Sequence, residues 1–383
     1  MHETRPEHEL ILRIARRERV EPCEALNWDY LFALAYSHGL LPLLQKHLSS
    51  SPTHFRARLK QESIANSQTT LHLVGKQLRL YKLFNEHKIP IALFKGPLLS
   101  QMAYGDMSLR QAGDVDVLID RRHFRQARLL LESFGYQMTP KLTEAQLESH
   151  LNFHCEIQFM RDDWFTVVDL HWDLAPRSFV FKLSAEEVMS RLQSVLLAGT
   201  KVKTFGDEDL VLYLAMHGAK HLWRRLEWIT CLAESIRAMP KLNWDLLIDR
   251  ANKARASRIL ALGMRLVERF SNVKIPPHVF AAIDAENSMQ QMAQDIQNHI
   301  FETFGAADSA ETNLYNLRVM DRKRDALVSA LRAIFVPTLT DWQALALPAS
   351  LHSLYYAYRP LRLSRVYTTS LWRRLTGSKK HDA

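Results

Sequence analysis

Cysteine is scarce in this chain. Its three cysteines, Cys23, Cys155 and Cys231, are spread over 383 residues. An odd number of widely spaced cysteines indicates neither a disulfide framework nor a cysteine-based zinc site. The sequence therefore predicts a protein of a reducing compartment, and we expect a cytoplasmic location.

Long apolar runs are also missing. No run of 18 uncharged apolar residues occurs, so no transmembrane segment is expected. The first 25 residues carry charges of both signs and no apolar stretch, so no signal peptide is predicted.

Glycine is infrequent, with 12 residues in 383. Neither Gly-x-Gly-x-x-Gly nor Gly-x-x-x-x-Gly-Lys-Ser/Thr occurs, which argues against Rossmann and P-loop nucleotide sites. A hydrophobic content of 47% is enough to build buried cores. The net charge of +9 permits contact with nucleic acid or an anionic membrane without requiring either.

The spacing of apolar residues predicts an α+β fold, with a small mixed-sheet core between helical regions. We expect an N-terminal helical region at 1–88, an α/β core at 89–206, a helical domain packing on the core at 207–275 and a C-terminal helical region at 276–383. Strands are predicted at 89–94, 114–119, 155–160, 165–172 and 200–205, with a helix at 122–134. Arg161, Asp162 and Asp163 are predicted to form a hairpin turn, and Pro337, Pro348 and Pro360 to interrupt the C-terminal region.

The most informative residues are Asp114 and Asp116, one residue apart in an otherwise apolar run. Residues i and i+2 of a strand point to the same face, so the two carboxylates lie close together. Carboxylates at that distance repel each other unless a cation lies between them. Mg²⁺ binds such carboxylates together with phosphate oxygens. The alternative is a surface strand with an acidic outer face.

The preceding segment suits a phosphate site. A short apolar strand ends at Lys95-Gly96-Pro97, and a short helical stretch follows. A glycine turn at the start of a helix allows backbone N–H groups to approach a phosphate, and Lys95 could neutralise triphosphate charge. The alternative for Lys95 is a solvated loop lysine.

A third carboxylate lies in the run Val167-Val168-Asp169-Leu170-His171. Asp169 and His171 share one face of this strand, and His171 is predicted to contact the nucleotide. Phosphoryl transfer with two metals uses several carboxylates around the ions, so we expect Asp169 to bind the second ion and to act as base on the acceptor hydroxyl. The alternative is that Asp169 pairs with an arginine such as Arg110, which could equally contact phosphate.

Taken in order, these segments resemble the uncharacterised bacterial nucleotidyltransferase family of the polymerase-β-like superfamily. The resemblance rests on Lys95-Gly96, Arg110, the run 113–118 and the run 168–172, and it continues through 209–221 and 225–228. It covers most of residues 20–275. The chain departs from the pattern where the wider superfamily has Gly-Ser or Gly-Gly at the phosphate turn, and where related sequences carry an Asp in place of Cys231.

The resemblance implies a metal-dependent enzyme that transfers an NMP from an NTP to an acceptor hydroxyl and releases pyrophosphate. ATP is the first choice of nucleotide, and two Mg²⁺ ions, or Mn²⁺ in their place, are the expected cofactors. The acceptor is a small molecule, saccharide, peptide or protein. The alternatives are a non-catalytic binding module that keeps the fold and, ranked last, modification of RNA ends.

His217, Lys220 and His221 share one face of a predicted helix, because they lie at i, i+3 and i+4. Two histidines at that spacing can bind zinc, but no third ligand is evident. We predict a basic face that contacts phosphate or acceptor; the alternative is an exposed surface. Glu156 and Gln158 could reach the same cleft.

The C-terminal tail is basic and aromatic. Its cations are Arg359, Arg362, Arg365, Arg373, Arg374, Lys379 and Lys380. Arginines interleaved with tyrosines suit peripheral contact with an anionic membrane surface or an acidic polymer; the alternative is a solvated tail.

Overall fold

The structure is a computed structural model that describes residues 5–23, 25–161, 167–284, 287–302, 315–345 and 347–376, with side chains up to residue 365. The part of the chain that it describes is mixed α+β and mainly helical. This confirms the predicted fold class. The division of the chain after residues 88, 206 and 275 stays a prediction.

Four helices precede the sheet: α1 (Pro6–Ala15), α2 (Trp28–Ser37), α3 (Leu41–His47) and α4 (Thr53–Glu86). Asn27 caps α2 by accepting a hydrogen bond from the backbone N–H of Tyr30. Asn243 caps a later helix in the same way, accepting from Leu246. The similar segments that begin at Leu26 and Leu242 therefore share one capping geometry.

The five-stranded sheet has the order β1-β2-β5-β4-β3. Its strands are β1 (Ile91–Leu93), β2 (Asp114–Ile119), β3 (Gln137–Thr139), β4 (Glu156–Met160) and β5 (Val167–His171). The β2–β5 pair is parallel and the other pairs are antiparallel. A separate hairpin, β6 (Gln193–Leu197) and β7 (Thr200–Thr204), lies beyond the sheet.

The two faces of the sheet differ in character. One face carries Val115, Val117 and Ile119 and is buried against α4 and α6 (Phe124–Ser133). Since side chains alternate along a strand, Asp114 and Asp116 lie on the opposite face. The apolar face therefore fixes the orientation of the carboxylates.

The connections between the strands contain α5 (Gly96–Tyr104), α6 and α7 (Glu144–Phe153), and α8 (Ala185–Met189) follows the sheet. Helices α9 (Asp207–Lys220), α10 (Leu226–Ala238), α11 (Trp244–Ala254) and α12 (Ser257–Phe270) come next. Helix α10 packs on α5, and α9, α10 and α12 contact one another. Asp207 is the first residue of α9 and accepts from the Gln193 amide.

The C-terminal part contains α13 (Pro277–Ile283), α14 (Ser288–His299), α15 (Lys323–Phe335), α16 (Leu339–Ala344) and α17 (Tyr355–Thr376). Pro337 and Pro348 lie between helical segments, as predicted, but the interruption at Pro360 was wrong because Pro360 lies inside α17. Arg359 and Arg362 anchor that turn by binding Asp341, which offsets the hydrogen bond that proline removes.

Two short strands, β3 and β6, were not predicted. Asp162 and Asp163 of the predicted hairpin, and the first residues of the predicted strand at 165–172, lie outside the described residues.

Candidate active site

The polar face of the sheet brings together residues that are far apart in sequence. Asp116 is the register partner of Asp169 across the parallel pair β2–β5. His171 is the partner of Glu156 across β5–β4. Directly opposed residues of neighbouring strands share a face, so Asp114, two residues before Asp116, belongs to the same group.

Asp116 is the centre of this group. Its Oδ1 lies 2.7 Å from the Lys95 ammonium and 2.9 Å from Nε2 of His171. Burial alone would raise the pKa of the Asp116 carboxyl, but Lys95 and His171 hold it well below its usual range. Asp116 is therefore a carboxylate at neutral pH.

His171 connects Asp116 to Glu156. It is buried, and its Nδ1 lies 3.0 Å from Oε2 of Glu156. Burial would raise the pKa of Glu156, but His171, Lys220 and Lys95 lower it below its usual value. The predicted nucleotide-binding residue His171 is thus placed between two carboxylates.

The pKa values of Asp114 and Asp169 are raised, whereas that of Asp116 is lowered. Burial, then repulsion from Asp116 and Asp169, raises the pKa of Asp114 to about 6. Burial and Asp116 also raise the pKa of Asp169. Oδ1 of Asp169 is buried and has no hydrogen-bond partner among the described residues. Within the described ranges neither carboxylate forms the direct ion pair that Asp116 forms with Lys95.

The donor atoms fit a metal ion. Asp116, Asp169 and His171 each offer a ligand atom, and these atoms lie within 4.8 Å of one another. A second such set is Cys155, Glu156 and His171. Asp114 belongs to neither set, although it lies on the same face. An unpartnered carboxylate oxygen beside a second carboxylate suits a hard divalent cation.

The Lys95-Gly96 turn lies directly beside Asp116. Burial would lower the pKa of Lys95, but the Asp116 carboxylate raises it well above its usual value. Gly96 opens α5 at a φ of +61°, a conformation that favours glycine. The Gln77 amide donates to the Lys95 carbonyl oxygen, so the turn is held from α4.

The predicted helix face lies toward Lys95. The His217 ring stacks on Tyr213 at 5.9 Å and lies 4.7 Å from His221. Burial and then Lys95 lower the pKa of His217 well below its usual value. Burial, Lys220 and Lys95 lower the pKa of His221 to about 4. Both rings are therefore uncharged at neutral pH.

No group of three metal-ligating side chains in the described ranges includes His217 or His221, so no zinc site was found at this face. Lys220 carries no ion pair or hydrogen bond within the described chain. Its charge nevertheless lowers the pKa of Glu156, so it lies toward β4.

Arg110 forms an ion pair with a glutamate of α10. Its Nη2 lies 3.0 Å from Oε1 of Glu227 on α10; Glu227 is buried and Arg110 is partly buried. Asp169 has no arginine partner among the described ion pairs, so the alternative in which Arg110 pairs with Asp169 was wrong. Cys231 lies near this pair, since it is among the groups that shift the pKa of Arg110.

The profile of a family described as uncharacterised nucleotidyltransferase matches residues 24–272. The chain belongs to this family. A solution structure titled as that of the antibiotic-resistance factor ANT(2'')-Ia, with substrate-regulated conformation dynamics, is similar at 14% identity and a TM-score of 0.33, over 49% of this chain and 90% of that one. No curated protein matches the chain significantly.

Tyr213, a neighbour of Lys95, was not predicted as a candidate site residue. Tyr213 lies against Lys95, whose ammonium is 5.7 Å from the centre of its ring. The signal was present, because Tyr213 precedes His217 by four positions and so shares its helix face.

Two cations of the basic tail are not free to bind a partner. Arg359 and Arg362 both bind the buried Asp341, and Arg359 also donates to the Ala333 carbonyl oxygen. The side chains of Arg373, Arg374, Lys379 and Lys380 lie outside the described residues. None of the helices in the described ranges has both the length and the apolar character that a membrane span requires.

Proposed function

We propose that this nucleotidyltransferase transfers an NMP from an NTP, with ATP as the first choice, to an acceptor hydroxyl. The observation that carries the proposal is the shared face of Asp114, Asp116 and Asp169. Two of these carboxylates are register partners, and Asp169 has a buried oxygen without a hydrogen bond. Burying an unsatisfied polar group is unfavourable, and a bound cation would give this oxygen a partner.

Asp114, Asp116 and Asp169 would hold Mg²⁺, in two ions, or Mn²⁺ in its place. The bound metal supplies positive charge for the phosphate oxygens and for the attacking and leaving oxygens. Burial and neighbouring negative charge raise the pKa of Asp114 and of Asp169. A bound cation would offset that negative charge.

The bond changes and the proton transfer are assigned to residues of the chain as follows. The acceptor oxygen forms a bond to the α-phosphorus, the bond from that phosphorus to the bridging oxygen breaks, and pyrophosphate leaves. Asp169 takes the proton of the acceptor hydroxyl, a role that suits a carboxylate with a raised pKa. When nucleotide binds, the Lys95 ammonium leaves Asp116 and contacts a phosphate oxygen. Gly96 allows the backbone of the turn to approach that phosphate.

His217 and His221 are uncharged, so they act as hydrogen-bonding groups toward nucleotide or acceptor. His171 keeps Asp116 ionised and oriented through its 2.9 Å contact. Arg110 is assigned to the support of α10 through Glu227 and not to the nucleotide.

A second candidate is a non-catalytic binding module. The observation in its favour is that Lys95 and His171 already neutralise Asp116, as a stable scaffold without a metal would require. It leaves the unpartnered oxygen of Asp169 unexplained.

The deciding experiment incubates the full chain with each α-labelled NTP, Mg²⁺ and a cell lysate, and measures labelled product and pyrophosphate. In parallel, thermal unfolding is measured with each NTP, with and without Mg²⁺. Label transfer that is lost in Asp116→Asn supports the enzyme. Stabilisation by an NTP without label or pyrophosphate in any lysate supports the binding module.

A further inference from the structure

Two neighbouring cavities lie beside β4 and the residues that precede it. The inner cavity has a volume of about 260 Å³, and its lining includes Thr139, His154, Glu156, Gln158, Lys220 and Leu339. The outer cavity has a volume of about 310 Å³, and its lining includes Phe153, Phe179, Arg332, Ala333, Val336 and Arg359. Both cavities share His154, Pro176 and Lys220, so they form one cleft, which we call the β4 cleft.

The inner end of the β4 cleft reaches the carboxylate group. Glu156 lines the cavity and contacts His171, which contacts Asp116. Gln158, also in the lining, is the register partner of Asp169 across β4–β5. A molecule in the inner cavity is therefore one strand away from the proposed base.

The outer end of the cleft is apolar and positively charged. Lys220, Arg332 and Arg359 line the outer cavity, and none of its described lining residues is an aspartate or glutamate. Arg359 is neutralised by Asp341. Among the described residues, Arg332 donates to the Arg177 carbonyl oxygen and forms no ion pair, and Lys220 has no partner. Two cations of the lining thus lack a carboxylate within the described part of the chain.

A polar group in the lining also lacks a partner. Nε2 of His154 is buried without a hydrogen bond among the described residues. Its ring stacks on His150 at 4.2 Å, so its orientation is fixed. Buried polar atoms are nearly always hydrogen-bonded in native structures, and a bound molecule in the cleft would satisfy this one.

The wall of the cleft comes partly from outside the family match. Arg332, Ala333, Leu339 and Arg359 lie beyond residue 272, where the match ends. The catalytic face lies within the match. The carboxylate face is thus common to the family, whereas part of the cleft wall lies outside the matched region. Such a wall is suited to selecting the acceptor and not the nucleotide.

We propose that the β4 cleft binds the acceptor, and that the acceptor is a small organic acid with an apolar part and a hydroxyl group. The inference rests on the proposed function and names the substrate class of that site. Lys220 and Arg332 bind the carboxylate or phosphate of the acceptor in the outer cavity. The apolar part lies against Phe153 and Val336. The hydroxyl reaches from the inner cavity past Gln158 to the neighbouring strand. There it loses its proton to Asp169 and bonds to the α-phosphorus, while pyrophosphate leaves.

The first experiment identifies the charge of the acceptor. The full chain is incubated with α-labelled NTPs, Mg²⁺ and a bacterial extract of small molecules, passed beforehand through an anion-exchange or a cation-exchange resin. We expect label transfer with the untreated and cation-depleted extracts and none with the anion-depleted extract. Equal transfer after anion depletion overturns the proposal, and so does the absence of transfer to any small molecule by a protein that binds NTP.

The second experiment locates the acceptor with the same labelled reaction. Lys220→Ala and Arg332→Ala should each raise the amount of extract needed for half-maximal transfer by about tenfold or more, since each removes a charge-assisted contact. The KM for NTP should stay unchanged. Ala333→Phe should abolish transfer by filling the outer cavity. The matched controls are Lys60→Ala on α4 and Ala330→Phe on α15, which lines neither cavity, and both should retain transfer.

Thermal unfolding with NTP and Mg²⁺ distinguishes a failure of the acceptor-site proposal from a failure of the proposed transfer reaction. If the variants keep NTP-dependent stabilisation and lose acceptor affinity, the cleft is the acceptor site. If the variants keep acceptor affinity, or if KM for NTP rises instead, the assignment of the cleft is wrong while the transfer reaction stands. If the unmodified protein shows no NTP-dependent stabilisation, the proposed function itself fails.

Discussion

Asp116 and Asp169 face each other across the parallel strands β2 and β5, yet among the described residues only Asp116 forms an ion pair. Lys95 and His171 both bind Asp116, whereas Oδ1 of Asp169 has no hydrogen-bond partner in the described chain. We therefore expect the two neighbouring carboxylates to have opposite effects on folding stability. Asp116 is stabilised as an anion and Asp169 is not, so isosteric amides at the two positions should separate function from stability.

We predict that Asp169→Asn stabilises the protein and removes its activity. Burial and repulsion from Asp116 raise the pKa of Asp169, so its charge is unfavourable at neutral pH and a neutral amide relieves the repulsion. Loss of a general base typically lowers turnover by about 10²–10⁴-fold. Thermal unfolding without metal and label transfer from NTP are the measurements. A lower melting temperature, or full activity, would contradict the assignment.

Asp116→Asn should lose activity and also destabilise the protein. The substitution leaves the partly buried Lys95 ammonium without its carboxylate, and breaking a buried ion pair costs about 3–5 kcal/mol. Denaturant unfolding measures the free energy of unfolding. The double variant Lys95→Met/Asp116→Asn is the control and should recover part of the loss. A single variant as stable as the unmodified protein would show that the Lys95 pair is unimportant for folding.

The carboxylate face was readable from sequence because a strand has a period of two. Asp114, Asp116 and Asp169 each stand in a run of β-branched residues, so their faces followed from alternation. The partners of Asp116 did not follow in the same way. Lys95 and His171 were recognised as site residues but predicted to contact nucleotide, since nothing local in the sequence specifies a cross-strand hydrogen bond.

Other features depend on long-range packing that local patterns do not contain. Glu227 is the partner of Arg110 because α10 packs on α5, and the two residues are far apart in the chain. The strand β3 is only three residues long and contains Gln137 and Thr139, so no apolar alternation marks it. Pro360 is tolerated in a helix because Asp341 binds residues on both sides of it.

Arg110→Met is predicted to destabilise the protein without changing the KM for NTP. In the described ion pairs the arginine binds the buried Glu227 and none of the three aspartates. Its loss should cost about 1.5–3 kcal/mol, the usual contribution of a hydrogen bond to a charged group, because Arg225 still binds Glu227 at 2.9 Å. Urea unfolding and NTP titration are the measurements.

Arg122→Met is the matched control for Arg110→Met. Arg122 pairs with Asp120 on the surface, where an ion pair contributes about 0–1 kcal/mol. A rise in KM for NTP in Arg110→Met, with stability unchanged, would instead assign Arg110 to the nucleotide.

Asp341 should make the stability of the C-terminal region depend on acidic pH. Burial would raise the pKa of its carboxyl, but hydrogen bonds from Thr338, Arg359 and Arg362 lower it below its usual value. A carboxyl whose pKa is depressed in the folded state stabilises the protein above its unfolded pKa, about 3.9. This contribution is lost as pH falls through the lower folded pKa.

Asp341→Ala should therefore cost about 3–5 kcal/mol at pH 7, because it leaves two arginines unpaired. Below pH 4 the variant should lose less stability than the unmodified protein. Asp249→Ala, which removes an exposed pair with Lys253, should change stability by only about 0.3–0.5 kcal/mol. Urea unfolding of the three proteins between pH 3 and pH 7 is the measurement, and parallel pH profiles for Asp341→Ala and the unmodified protein would show that Asp341 does not control this dependence.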